Sequence, residues 1–280
     1  MKKILMGLAA AGTAIAMVPL FAAFEAHVIN VTARIENALQ VSTELITFGT
    51  VFPQEELDQQ FEVELSDSFM TERRVDDVQY FIRQKPKCGV TTDNGTVLVG
   101  PTATGHVIPT LDNPQTPEDE SKGGTAYTID CGPDPRQLDS TGQPQPPGST
   151  WGVLPSLCPY LSKHPIPDTP IDPPNDGSLN AFHQPFSIVN GQVVWTDVAG
   201  YLAKSAPDIL DIWNIDLKVP CFGGYCAQDW ADYVHHWGGS DVNPDDYVQP
   251  IGNEHKVFGC DLWVEVSDVS EYEGPNGTDG

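Results

Sequence analysis

Asp241, Asn243 and Asp245 stand at alternate positions in the stretch DVNPDDY, three oxygen donors spaced as at the start of a calcium-binding loop. A full loop of that kind carries Gly at its sixth position and a bidentate Glu at its twelfth, where this chain has Asp246 and Gly252. The same residues also read as Asn243 capping a short helical turn with Pro244 first inside it. Calcium is the one cofactor that the residue types raise.

Other chemistry is thinner. No His-Glu-x-x-His occurs, and the adjacent His235 and His236 would point about 100° apart on a helix rather than onto one metal. Asp232 and His236 share a helical face at i, i+4, but a metal site needs a third ligand. No Gly-x-Ser-x-Gly is present, and no catalytic residue is assigned. Among the tryptophans, Trp151 and Trp195 fall where exposed rings can stack on a glycan, whereas Trp213, Trp230, Trp237 and Trp263 follow strand or helix periodicity and are expected in the core.

Six cysteines, Cys88, Cys131, Cys158, Cys221, Cys226 and Cys260, form an even set. In an exported chain disulfides are the expected use, and no two Cys-x-x-Cys pairs suggest zinc. Cys221 and Cys226 flank Phe-Gly-Gly-Tyr, a tetrapeptide that folds back easily, so these two are matched as a guess and the remaining pairing is left open.

Export itself is read from residues 1–23, where Lys2 and Lys3 precede an apolar run from Ile4 to Ala23, the pattern of a secretory signal. Membrane attachment is expected only through this leader if it stays uncleaved. The formal charge is −25, from 14 Lys and Arg against 39 Asp and Glu. An acidic surface repels phosphate backbones, so nucleic acid is excluded as a partner.

The elements that must carry these residues are mostly strands. Residues 27–41 alternate apolar and polar with period two, and Ile46–Phe52, 61–65 and 78–82 give further short strands. Residues 89–186 are rich in Thr, Gly, Pro and Asp and read mostly as a loop-rich insertion. Beyond it, Asn190-Gly191 predicts a hairpin over 187–195. Ser205-Ala206-Pro207-Asp208 resembles a helix start leading into Ile209, Leu210, Ile212 and Trp213. Ile215, Leu217 and Val219 form another alternation, Cys226, Trp230, Val234 and Trp237 recur at helical spacing, and 257–266 forms a last strand. Residues 24–269 are expected to form one mainly β domain, an antiparallel sandwich with one or two short helices. Residues 270–280 form an acidic tail.

The leader, the sequence AAFEA, the early strand, the segment FGTVFPQEELDQQFEVEL and the closing GCDLWVEVSDV together resemble the TasA and camelysin group of exported jelly-roll proteins. Where that family often carries Pro-Gly-Asp or Pro-Gly-Glu, this chain has Pro53-Gln54-Glu55. The resemblance implies a jelly-roll-like sandwich that polymerises with itself into surface or matrix fibres, or binds other surface proteins. Donor-strand exchange through the mature N-terminus would supply the joint. A camelysin-like metallopeptidase activity and a calcium- or glycan-binding role are the alternatives, and the expected location is the cell surface or extracellular matrix.

Overall fold

The computed structural model describes residues 34–43, 45–91, 97–98, 103–110, 126–132, 150–167, 175–206 and 208–271. The chain divides into two compact units, residues 1–36 and 37–280. Of the first, the described part is exposed and carries an Arg34–Glu36 ion pair. The leader and residues 272–280 lie outside the described residues.

The second unit is mainly β. In chain order its elements are β1 (Leu39–Val41), β2 (Glu56–Leu65), helix α1 (Asp67–Thr71), β3 (Val75–Pro86), β4 (Cys88–Thr91), β5 (Val97–Leu98), β6 (His106–Pro109), β7 (Tyr127–Asp130) and β8 (Thr150–Val153). Then come β9 (Leu161–Ile166), β10 (Phe186–Val189), β11 (Gln192–Trp195), β12 (Val198–Ala203), β13 (Leu210–Lys218), helix α2 (Trp230–Gly238) and β14 (Cys260–Glu271).

Two sheets form the sandwich. The first runs β1-β2-β13-β9 and the second β12-β3-β14, every ladder antiparallel. Alternation explains the packing: Phe61, Val63 and Leu65 of β2 and Trp213, Ile215 and Leu217 of β13 point inward, facing Val78, Tyr80 and Ile82 of β3 and Val198 and Leu202 of β12. Each fully buried aliphatic or aromatic side chain contributes roughly 1.5–3 kcal/mol, so this shared face is the main source of stability. Gly200 is required by that packing, because a Cβ there would lie 2.1 Å from Cζ of Tyr80.

Smaller β pieces flank the layers. Strands β5-β4-β8 form a three-stranded sheet, β6 pairs with β7, and β10 with β11. The last pair is the expected hairpin, and Asn190 (φ 52°) and Gly191 (φ 72°) both take the positive φ of its two-residue turn. Helix α2 buries Trp230 and Val234 in the same core. Three disulfides tie the periphery down: Cys88–Cys131, Cys158–Cys260 and Cys221–Cys226.

Several expectations are corrected. The helix foreseen from Ser205 is absent. Lys204–Ala206 make a turn closed by the Ala203–Asp208 bridge, and Leu210–Lys218 is a central strand. The period-two burial of Asp211, Trp213, Ile215 and Leu217 between two neighbouring strands overrides a local Ser-Ala-Pro-Asp signal. The long first strand shortens to Leu39–Val41; residues 34–38 are irregular and 27–33 fall outside the described residues. Ile46–Phe52 is not a strand either, though Ile46, Phe48 and Val51 still pack against the core. The 89–186 stretch is more ordered than a loop insertion, since β9 within it is an edge strand of the first sandwich sheet. The last strand runs to Glu271, into the expected tail.

Candidate functional site

The inward face of β9 carries a residue alien to a core. Lys163 stands opposite Ile215 of β13 and exchanges two backbone hydrogen bonds with Leu179 on its other edge, so both sides of the strand are held and the pleat turns its side chain inside. It is 0 % exposed, and its Nζ has no hydrogen-bond partner among the described residues. Burial disfavours the charged ammonium and pushes its pKa down to about 7.

The opposite layer contributes Gln84, also 0 % exposed. The disulfide explains how the two strands meet at this end. Cys260 pairs with Pro86 in the β14–β3 ladder, and its bond to Cys158 holds the entry to β9 beside the end of β3. Cys158 Sγ contacts the Lys85 carbonyl at 3.5 Å. Gln84 and Lys163 are thus inward residues on facing strands near one covalent pin.

His183 completes the group, and a strained backbone delivers it. The preceding Phe182 has φ 59°, a left-handed conformation that bulky side chains avoid. Its ring is locked by edge-on contacts with Tyr160, Trp230, Tyr233 and Tyr247, and its N–H donates to the Pro159 carbonyl at 2.7 Å. Such strain persists where surrounding packing over-determines it. The consequence is an imidazole placed with Nδ1 2.7 Å from the Asn180 carbonyl and Nε2 2.7 Å from Oε1 of Gln84.

Both contacts place an oxygen beside a ring nitrogen, yet a neutral imidazole has one N–H to give. Burial, reinforced by the charge on Lys163, pushes His183 down to about 4, so the ring is neutral. The carboxamide therefore presents its NH2 to Nε2 while Nδ1–H donates to Asn180, since amide oxygen and nitrogen are interchangeable by a flip. The other amide atom of Gln84 is left facing the core without a partner. Lys163 Nζ and this amide atom are each buried without a hydrogen-bond partner among the described residues.

A second polar network lies in the core. Tyr80 donates its hydroxyl proton to Asp211, and Trp213 Nε1 donates to the Tyr80 oxygen at 2.7 Å. Burial, then the Asp211 charge, raises the Tyr80 pKa, so the phenol stays protonated and acts as the structural link between layers.

The residues singled out by spacing sit elsewhere. Asn243 caps a 3-10 turn, Pro244–Tyr247, with Oδ1 accepting from Asp245 N–H, and its amide donates to Asp246 at 3.1 Å. Asp241 accepts from Ser240. Among the described residues no group of three or more His, Cys, Asp or Glu has metal-holding geometry. His235 bonds the Val242 carbonyl and His236 packs edge-on to Trp237. Trp263 is corrected from core to surface, 40 % exposed, with Lys85 Nζ 3.6 Å from its ring centroid. Lys85 and Arg83 both pair with Glu265, and Arg83 also with Asp197, so this outer face is already self-matched. Trp151 donates to the Cys131 carbonyl and Trp195 packs on Phe186.

The Lys163, Gln84 and His183 group was missed because polar neighbours mask its strand: in LSKHPI only the alternate positions Leu161, Lys163 and Pro165 face inward. A lysine on the apolar side of a period-two pattern is the signal that marks it. Compared with protein-family models, curated proteins and solved structures, the chain matches none.

Proposed function

We propose that this chain is an exported structural or adhesive component of a cell surface or extracellular matrix, whose subunits join by strand addition at the β2 edge. The observation that carries the reading is the mismatch between β1 and β2. Three residues of β1 pair with Leu65, Glu64 and Val63, and Ser42 N–H adds one bond to Glu62. Glu56–Phe61 pair with β13 on one side and, among the described residues, carry no ladder on the other. Exposed Val41, Leu45 and Phe52 belong to the segment that borders this stretch. An open strand edge flanked by apolar side chains is a template for an incoming strand. Three disulfides fit an oxidising setting, and among the described residues no helix is long and apolar enough to cross a membrane.

The incoming strand in this reading is residues 24–36 of the next subunit, since Asn37 and Ala38 are held by Ser66 of their own chain. Purified 24–280 protein is expected to form filaments in electron micrographs above a threshold concentration, and deletion of 24–36 or the pair Leu45→Lys and Phe52→Lys abolishes them. A monomer at every concentration by sedimentation overturns the assembly.

A further inference from the structure

We propose that the outer face of the β12-β3-β14 sheet is a binding surface for a neutral saccharide chain, with Trp195 and Trp263 as its stacking rings. Alternation puts Phe81, Arg83 and Lys85 of β3 and Asp261, Trp263 and Glu265 of β14 on this face, opposite one another in the ladder. Lys85 Nζ is 3.6 Å from the Trp263 ring centroid and 5.8 Å from that of Trp195, so one ammonium has two indoles from separate strands beside it. The aromatic series continues from Trp195 to Phe186, 5.5 Å between centroids, and from Phe186 to Tyr127 at 4.9 Å. Tyr127 and Trp263 are exposed, Trp195 and Phe186 half-buried. The Cys88–Cys131 bond pins the end of the strand carrying Tyr127, and Trp263 Nε1 donates to Thr104 at 3.2 Å. These rings are therefore placed before a ligand arrives, which lowers the cost of binding one.

The charges decide what kind of ligand fits. Glu265 accepts from both Arg83 and Lys85, Arg83 also pairs with Asp197, and Lys87 pairs with Asp261, all of them partly exposed. Cations and carboxylates thus match on this face, in a chain whose formal charge is −25. A charged ligand meets no unmatched partner there, and a polyanion is repelled by the acidic remainder of the surface. A protein partner would call for contiguous apolar surface, whereas here ion pairs stand between Trp195 and Trp263. A neutral sugar meets both conditions: its C–H faces pack on the negative face of an indole, and its hydroxyls donate and accept. The paired groups keep capacity for those hydroxyls, because carboxylates and a guanidinium offer more hydrogen-bonding sites than these ion pairs use. β2 belongs to the other sheet, so the surface is independent of whether subunits polymerise.

Affinity electrophoresis of the full exported chain tests it, in native gels that each hold one soluble polysaccharide: dextran, hydroxyethyl cellulose, laminarin or galactomannan as neutral probes, and alginate as the acidic one. The expected result is retardation by at least one neutral polymer and none by alginate. Trp195→Ala and Trp263→Ala each weaken that retardation at least tenfold. Trp263→Phe, which keeps a ring, retains more binding than Trp263→Ala, and melting temperatures near that of the wild type show that the variants are folded. The pair Leu45→Lys and Phe52→Lys, directed at assembly, leaves retardation unchanged, so loss of filaments and loss of saccharide binding are separate outcomes. Absence of retardation in every neutral gel overturns the proposal, as does retardation by alginate alone. Undiminished binding by a chain carrying both Trp195→Ala and Trp263→Ala overturns the assignment to this face.

Discussion

Gly200 and Gln54 show opposite relations between a residue and its backbone. A methyl at Gly200 meets the Tyr80 ring, which is itself fixed between Asp211 and Trp213, so neither side can yield. Gly200→Ala is expected to destabilise the fold by about 3 kcal/mol, read as a lower urea midpoint at unchanged slope. Gln54 occupies φ 62° after Pro53, with Glu55 N–H bonding back to the Phe52 carbonyl, a type II turn whose third residue favours glycine. Gln54→Gly should therefore cost nothing measurable in the same assay. His183 supplies the pH dependence at this scale. Its ring faces Gln84, Asn180 and the Lys163 charge, and burial holds it at about 4, below its ordinary 6.5. Between those values the unfolded chain binds more protons, so stability falls as pH drops from about 6.5 to about 4, by on the order of 2–3 kcal/mol. His183→Gln should flatten that part of a stability profile measured by denaturant titration.

Strands differ in how plainly they announce themselves. FEVEL in β2 and the Asn190-Gly191 hairpin are legible because period two and turn chemistry agree with the final contacts. β13 was misread at its start because Ser205-Ala206-Pro207-Asp208 imitates a cap, and only the pairing of Leu210 with Glu64 and Ile212 with Ile166 shows that tertiary contacts outweigh it. β9 lay hidden in a Pro-rich region because its inward residues include Lys163 and Pro165 in place of aliphatics. No local pattern reports a strand whose place depends on a disulfide 102 residues away in sequence. That separation sets an expectation. Closing so long a loop is worth about 4.7 kcal/mol in the chain-entropy picture, against about 2 kcal/mol for the five-residue separation of Cys221 and Cys226. The double variant Cys158→Ser with Cys260→Ser should lower thermal stability well beyond Cys221→Ser with Cys226→Ser, as calorimetry would record.

At the scale of the molecule, the mainly β sandwich was foreseeable from alternation and turn residues, whereas the candidate site was not. The spaced Asp241, Asn243 and Asp245 lie in a peripheral turn. The group with unusual chemistry is assembled from Gln84, Lys163 and His183, scattered across β3, β9 and the approach to β10, and only the stacking of two sheets brings them together. Spacing along a chain reveals sites built on one element; it is blind to those built across two layers.

The Cys158–Cys260 bond also decides how the protein would yield to a pull. Tension applied at the two chain ends travels through that covalent shortcut, leaving the 102-residue stretch it brackets slack and unextended. At roughly 3.5 Å per residue, about 350 Å of tether is withheld until a reductant cuts the bond. β13, β12 and α2 all lie inside the bracket, so a molecule stretched with this bond intact keeps these elements off the load path while its β2 and β3 strands bear the strain.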